Sequence, residues 1–364
     1  MRKTQLQELE LARRYVASPP FEGLSDQQMS LIMDRGRSLY KWFKAHPAVH
    51  NLINAAVILC IFVADYFALI RVPRLFLLPL QSNPVPSVLL ASLTAGCLHS
   101  WILYSLSVFS LHEGAAHNLI FAGTGSLTKV AQYLSHNLCR LAGGEPDYYS
   151  ACHMAHHAKF GSEDDSEFLN FIIPRRYWLT FLPFAAFINF SDFVIHRPPS
   201  YTRGRVISGI LSTAYNGAYA YVVYRLFGVL FCTATMLVFL PHFGFCIDRL
   251  RQYTEHNLMP LENKNGARSF GIGFWGIVVG GGPWGQPCHW AHHLVASIPW
   301  YQQIMLHRYI ARVLTSRQRQ QFLIQPLVGF PRMWWRLIRE SSCMLSGVRS
   351  PVLPPQKTAT GRGA

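Results

Sequence analysis

Two short stretches concentrate the reactive side chains of this protein. Residues 152–157 read CHMAHH and residues 288–293 read CHWAHH. On a helix, positions i, i+3 and i+4 share a face. His153, His156 and His157 can therefore present three imidazoles toward one point, and His289, His292 and His293 can do the same. An earlier HEGAAH contributes His112 and His117. These are five residues apart and converge where a helix is ending or locally unwound. The tripeptide Thr254–Glu255–His256 adds His256, in preference to His242, which ends an apolar run and reads as an interface residue. Neutral imidazole nitrogen suits iron, zinc, copper or nickel. A single zinc takes about four ligands, so nine histidines are too many for one ion and suit two.

Carboxylates accompany the clusters. A ligating histidine commonly donates its second N–H to a carboxylate or carbonyl. Glu113 and Glu255 adjoin candidate ligands, and Asp164, Asp165 and Glu167 follow the second cluster closely enough to serve. The same acidic run also reads as a solvated loop, or as a dock for a positively charged redox partner. Of the eight cysteines, Cys152 and Cys288 lie one turn before His156 and His292. Nine imidazoles already suffice for two ions, so both read as small packing residues. With no CxxC pair, a disulfide framework or zinc ribbon is excluded.

Apolar segments must position these groups. Half of the 364 residues are hydrophobic and 14% are charged, against about 25% charged in soluble domains. The class is an all-α membrane protein. Its net charge of +15 then fits basic flanks against anionic lipid rather than nucleic acid. Residues 1–49 read as a cytoplasmic lead-in with no signal peptide. Apolar runs follow at 52–70, 87–111, 177–195, 207–224 and 226–243. Asp65 inside the first is costly in lipid and is expected to face another helix. If the clusters share one side, an even number of crossings separates them. The basic 196–205 stretch favours a cytoplasmic position, making 177–195 an interfacial helix and the next two runs a hairpin turning near Arg225–Gly228. The rival is that 177–195 crosses and the later runs merge. Either way four spans result, as two hairpins under a cytoplasmic helical cap. Residues 270–285 are expected to dip beside the site, 301–350 to form a basic interfacial segment, and 351–364 to be a disordered tail.

The order HEGAAH, HMAHH, HWAHH resembles the membrane fatty acid desaturase superfamily over about residues 50–300. That resemblance implies a membrane di-iron domain with its boxes on the cytoplasmic side of four spans. It implies two iron ions, O2 as co-substrate, and a long-chain fatty acyl or lipid substrate oxidised at an unactivated C–H bond. Desaturation and hydroxylation are both open, as are terminal-alkene-forming decarboxylation and carotenoid hydroxylation or ketolation. Relatives carry a further histidine ligand about thirty residues before the last box, a slot His256 fills. Gln252, one turn earlier, matches a position whose amide holds a metal-linked water in some relatives. No HPGG haem segment is present, so electrons are expected from a separate donor, ferredoxin or cytochrome b5 with its reductase. From another class, a non-enzymatic membrane metal carrier would place its ligands at mid-membrane depth, whereas here they follow the apolar runs.

Overall fold

The computed structural model describes residues 21–72, 74, 84–162, 165–166, 203–257, 259–262, 264–284, 286–324 and 329–346. Among these the chain is helical, with one isolated parallel bridge between Ser269 and Leu323. The 177–195 run, Asp164, Glu167 and the 351–364 tail lie outside the described residues.

Three segments are long and apolar enough to cross a membrane: Pro47–Arg71, Pro86–Ala116 and Val206–His256. The third is 51 residues long. Straight, it would run ~76 Å, far more than the ~30 Å of a bilayer core. It is not straight. Gly228 adopts φ 83°, ψ 175° inside the Arg203–Thr233 helix, a backbone open to glycine because it lacks Cβ. Past this residue the chain folds back. The Cys232 thiol meets the carbonyl of Ala220 at 3.5 Å, though twelve helical residues would separate them by ~18 Å. Tyr219 and Phe231 both pack on His99, with ring centroids 5.9 and 6.0 Å away. The reversal near Arg225–Gly228 expected from the sequence is therefore present.

The apolar helices hold together through a few polar contacts at depth. Asp65 does face another helix: its Oδ1 lies 2.5 Å from His99 Nδ1, and Tyr219 Oη lies 2.8 Å from His99 Nε2. This Asp–His–Tyr chain links three segments and answers the cost of a carboxylate among apolar helices. The other described helices, among them Asp26–Ala45, Leu138–Ala142 and Trp300–Val313, make up a helical cap that meets the first and third segments near their starts. At the start of the first, Asn54 donates to the carbonyl of Ile120 at 2.7 Å. Arg140, in the cap, reaches the Ser208 carbonyl at 2.6 Å near the start of the third.

The cap has its own core. Ile32 and Leu39 on Asp26–Ala45 pack with Leu306 and Ile310 on Trp300–Val313 and with Phe322. Trp290, inside the third histidine box, stacks on Phe322 at 3.9 Å and 7°, an aromatic pair that contributes about 0.5–1.5 kcal/mol beyond its burial. The segment from 301 onward is amphipathic in both of its described parts. In Trp300–Val313 and Ser316–Phe322, Leu306, Ile310 and Phe322 are buried in the core that includes Trp290, while Arg308, Arg312, Arg317 and Arg319 are exposed. In Gly329–Ser346, Trp334 is buried while Trp335, Arg332 and Arg336 are exposed.

Candidate metal centre

The first box sits where a long helix changes its winding. Pro84–Phe109 continues into a π-helical stretch, Ser110–Ala116. The amide of His117 donates to the carbonyl of His112 at 3.3 Å, an i→i+5 bond characteristic of this geometry. On an α-helix, residues five apart point about 140° away from each other. The wider π turn brings them toward one face, and the two rings lie 5.1 Å apart. The local unwinding that the spacing required is therefore real.

The second box is carried by Pro146–Lys159 and the third by His289–Leu294. Neither box keeps its three histidines on one point. His153 and His157 join His112, His117 and His292 in a first focus. His292 Nε2 is 3.2 Å from that of His112, 3.3 Å from that of His153 and 2.8 Å from that of His157. His153 Nε2 is 3.0 Å from His117 Nε2. The remaining four form a second focus. His289 Nε2 lies 2.8 Å from His256 Nε2 and 3.0 Å from His293 Nε2, and the His156 ring is 5.2 and 5.1 Å from those of His256 and His293. In each box the i and i+4 residues go one way and the i+3 residue the other, in opposite senses. The expectation of three imidazoles on one point per box is corrected accordingly: i+3 points about 60° from i and about 100° from i+4, and two facing helices use that offset to build two foci.

Nitrogen atoms at these separations, lone pair toward lone pair, suit a shared cation. Burial and neighbouring imidazoles push the histidines toward neutrality. His117 is lowered to about 3, first by desolvation and then by His153. Desolvation, then adjacent histidines, holds His289, His292 and His293 well below the ordinary value. Neutral imidazole is the ligating form. The residues therefore fit two transition-metal ions, in groups that include His112, His117, His153 and His292, and His156, His256 and His293.

Behind the Nε2 atoms, three Nδ1 atoms meet acceptors, and a fourth, that of His292, lies beside an amide NH2 group, a donor. Asp165 Oδ1 accepts from His156 Nδ1 at 2.8 Å, and its Oδ2 accepts the Gly161 amide at 2.8 Å. Glu113 Oε1 lies 3.2 Å from His112 Nδ1 while its Oε2 accepts the Trp300 amide at 3.1 Å. The Gly266 carbonyl accepts from His256 Nδ1 at 3.1 Å, and the Gln303 amide is 3.4 Å from His292 Nδ1. Sequence reading named Asp165 and Glu113. It missed Gly266 and Gln303, since a backbone acceptor and an amide in a distant helix carry no local signal. Gln252 has its amide engaged with Asp248 at 2.8 Å and Arg249 at 3.1 Å. His99 belongs to the polar chain between the apolar helices, and His242 joins neither focus.

Beside the first focus lies a cleft of ≈ 530 Å³. Ala115 and Met154, each between candidate ligands, line it with Ile207 and Leu211 from the apolar helix and with His136 and Arg140.

The sequence model of one family, the fatty acid desaturases, matches residues 83–324, a span containing every histidine of both foci. No curated protein and no solved structure matches the chain.

Proposed function

This chain belongs to the fatty acid desaturase family, and we propose that its nine clustered histidines hold two iron ions. There O2 oxidises an unactivated C–H bond of a long fatty acyl chain, by desaturation or hydroxylation. The observation that carries this reading is the division of nine imidazoles into two adjoining foci at the end of apolar helices. An alkyl chain offers no acid or base handle. Two bound irons would supply the activation of O2 and the removal of hydrogen that side chains cannot. For desaturation, the two hydrogens leaving the chain, with two electrons and two protons from outside, reduce O2 to two waters.

The protein contributes position and polarity. Its buried imidazoles stay neutral and available, while Asp165 and Glu113 fix two of the rings through Nδ1. Electrons would come from a separate small donor, a ferredoxin or cytochrome b5. Counting the third segment as two crossings about Gly228 would give four, and we place the boxes on the cytoplasmic side with Arg308, Arg312, Arg317 and Arg319. That placement agrees with the excess of basic residues on cytoplasmic faces.

The test is lipid analysis of cells expressing the protein, alongside His156→Ala and His292→Ala, one ligand from each focus. A new internal double bond, alcohol or terminal alkene, present with the wild type and absent with both variants, supports the reading and identifies the reaction. Unchanged product in either variant refutes it.

A further inference from the structure

The two foci are unequal. The first gathers five imidazoles, those of His112, His117, His153, His157 and His292, and the second gathers four. A carboxylate stands at the smaller one. Glu255 is fully buried, and its Oε2 lies 3.7 Å from His289 Nε2. A carboxylate oxygen of Glu255 and ring nitrogens of His256 and His289 all fall within 4.8 Å of one another. We propose that Glu255 is a metal ligand, the oxygen donor that completes the four-histidine focus. This rests on the two-metal reading above.

The side of the ring on which the carboxylate stands separates ligand from support. Asp165 and Glu113 meet His156 and His112 at Nδ1, the nitrogen turned away from the foci. Glu255 meets His289 at Nε2, the nitrogen that also faces His256 and His293. A carboxylate that merely oriented His289 would stand at the opposite edge of the ring. Glu255 shares the space toward which the ligating nitrogens point.

The carboxylate is also held for this task. Arg251 Nη1 bonds Glu255 Oε2 at 2.6 Å, and Arg251 is fixed in turn by Asp248 and by Gln286 Oε1 at 2.6 Å. The charge-assisted bond fixes where the carboxylate stands. It does not exhaust it, because a carboxylate offers about four lone-pair sites on two oxygens. Gln286 continues to Tyr149 Oη at 3.3 Å, and the Tyr149 ring stacks on His153 of the first focus at 5.4 Å. One rigid polar chain therefore runs from the carboxylate at the second focus to an imidazole at the first. Negative charge beside one ion only would make the two irons electronically distinct.

The experiment uses the full-length protein in lipid nanodiscs, loaded with iron under anaerobic conditions. Glu255→Gln keeps the shape and removes the charge. Wild type is expected to hold two irons per chain and to give two resolved Mössbauer quadrupole doublets. In Glu255→Gln, affinity at one site should fall by at least about tenfold, and one doublet should shift or vanish while the other stays. Glu255→Asp should restore the second iron in part. Should Glu255→Gln fail to accumulate, Glu255→Asp gives the same readout, a weakened site and one altered doublet. Two irons of unchanged affinity with both doublets intact in the Gln variant would overturn the assignment. A wild-type protein that took up no iron would overturn the metal reading itself, a distinct result.

Discussion

Replacing Asp165 by asparagine probes how the second box is held. The carboxylate accepts two hydrogen bonds, from His156 Nδ1 and from the Gly161 amide, each at 2.8 Å. Asparagine has nearly the same shape but one acceptor oxygen and one NH2 group. Whichever way the amide lies, a donor faces a donor at one of the two positions. The lost contact is buried and charge-assisted, so its removal costs about 1.5–3 kcal/mol, equivalent to ~10- to 150-fold in an equilibrium. The turn cannot easily rearrange. Gly161 has φ +68°, and a Cβ there would lie 2.7–2.8 Å from Leu261. We therefore expect Asp165→Asn to lower metal affinity at the focus containing His156 by ~10- to 100-fold. Protein yield and affinity at the other focus should change little. The assay is competitive metal titration of the purified protein with a chromophoric chelator. Affinity within about twofold of wild type at both foci would refute the reasoning, because it would mean that Asp165 does not hold His156 in its ligating orientation.

Further expectations concern pH, the apolar bundle and the cysteines. The folded-state values of His117, His289, His292 and His293 are depressed, so the unfolded chain binds more protons in acid. Stability and bound metal should be intact above the unfolded histidine value near ~6.5 and decline as pH falls toward about 3; a melting temperature that rose on acidification would contradict this. Asp65→Leu should leave His99 and Tyr219 without their carboxylate and lower thermal stability by about 1–3 kcal/mol, read by thermal aggregation in detergent, with metal content unchanged. Cys152→Ser and Cys288→Ser should keep both metals. Among the described residues, neither thiol belongs to a group that could share an ion, and loss of a metal on replacement would show otherwise.

The site was legible where chemistry and period coincide. Histidines at i, i+3 and i+4 announce themselves, and a five-residue gap in HEGAAH demanded the unwinding that Ser110–Ala116 displays. The Arg225–Gly228 reversal was favoured by the even number of crossings needed between the boxes and by the basic 196–205 stretch. What stayed hidden depends on how elements face each other. The splitting of each box between two foci requires two helices to approach with opposed offsets, and no single helix encodes that. Gln303 reaches His292 only because Trp300–Val313 packs on the third box. Residues 300–322 alternate basic and apolar residues, and only tertiary packing shows that Leu306, Ile310 and Phe322 join a core with Trp290.

The central claim is that two irons in this cluster couple O2 to oxidation of an acyl chain. The direct measurement is O2 uptake by the iron-loaded protein in nanodiscs with a chemical or protein reductant, with and without a long-chain acyl substrate, and with products quantified by mass spectrometry. The account predicts iron at two per chain and substrate-dependent O2 uptake matched one-to-one by oxidised acyl product. Tightly held zinc, or O2 uptake indifferent to acyl substrate with no oxidised product after iron loading, would contradict it.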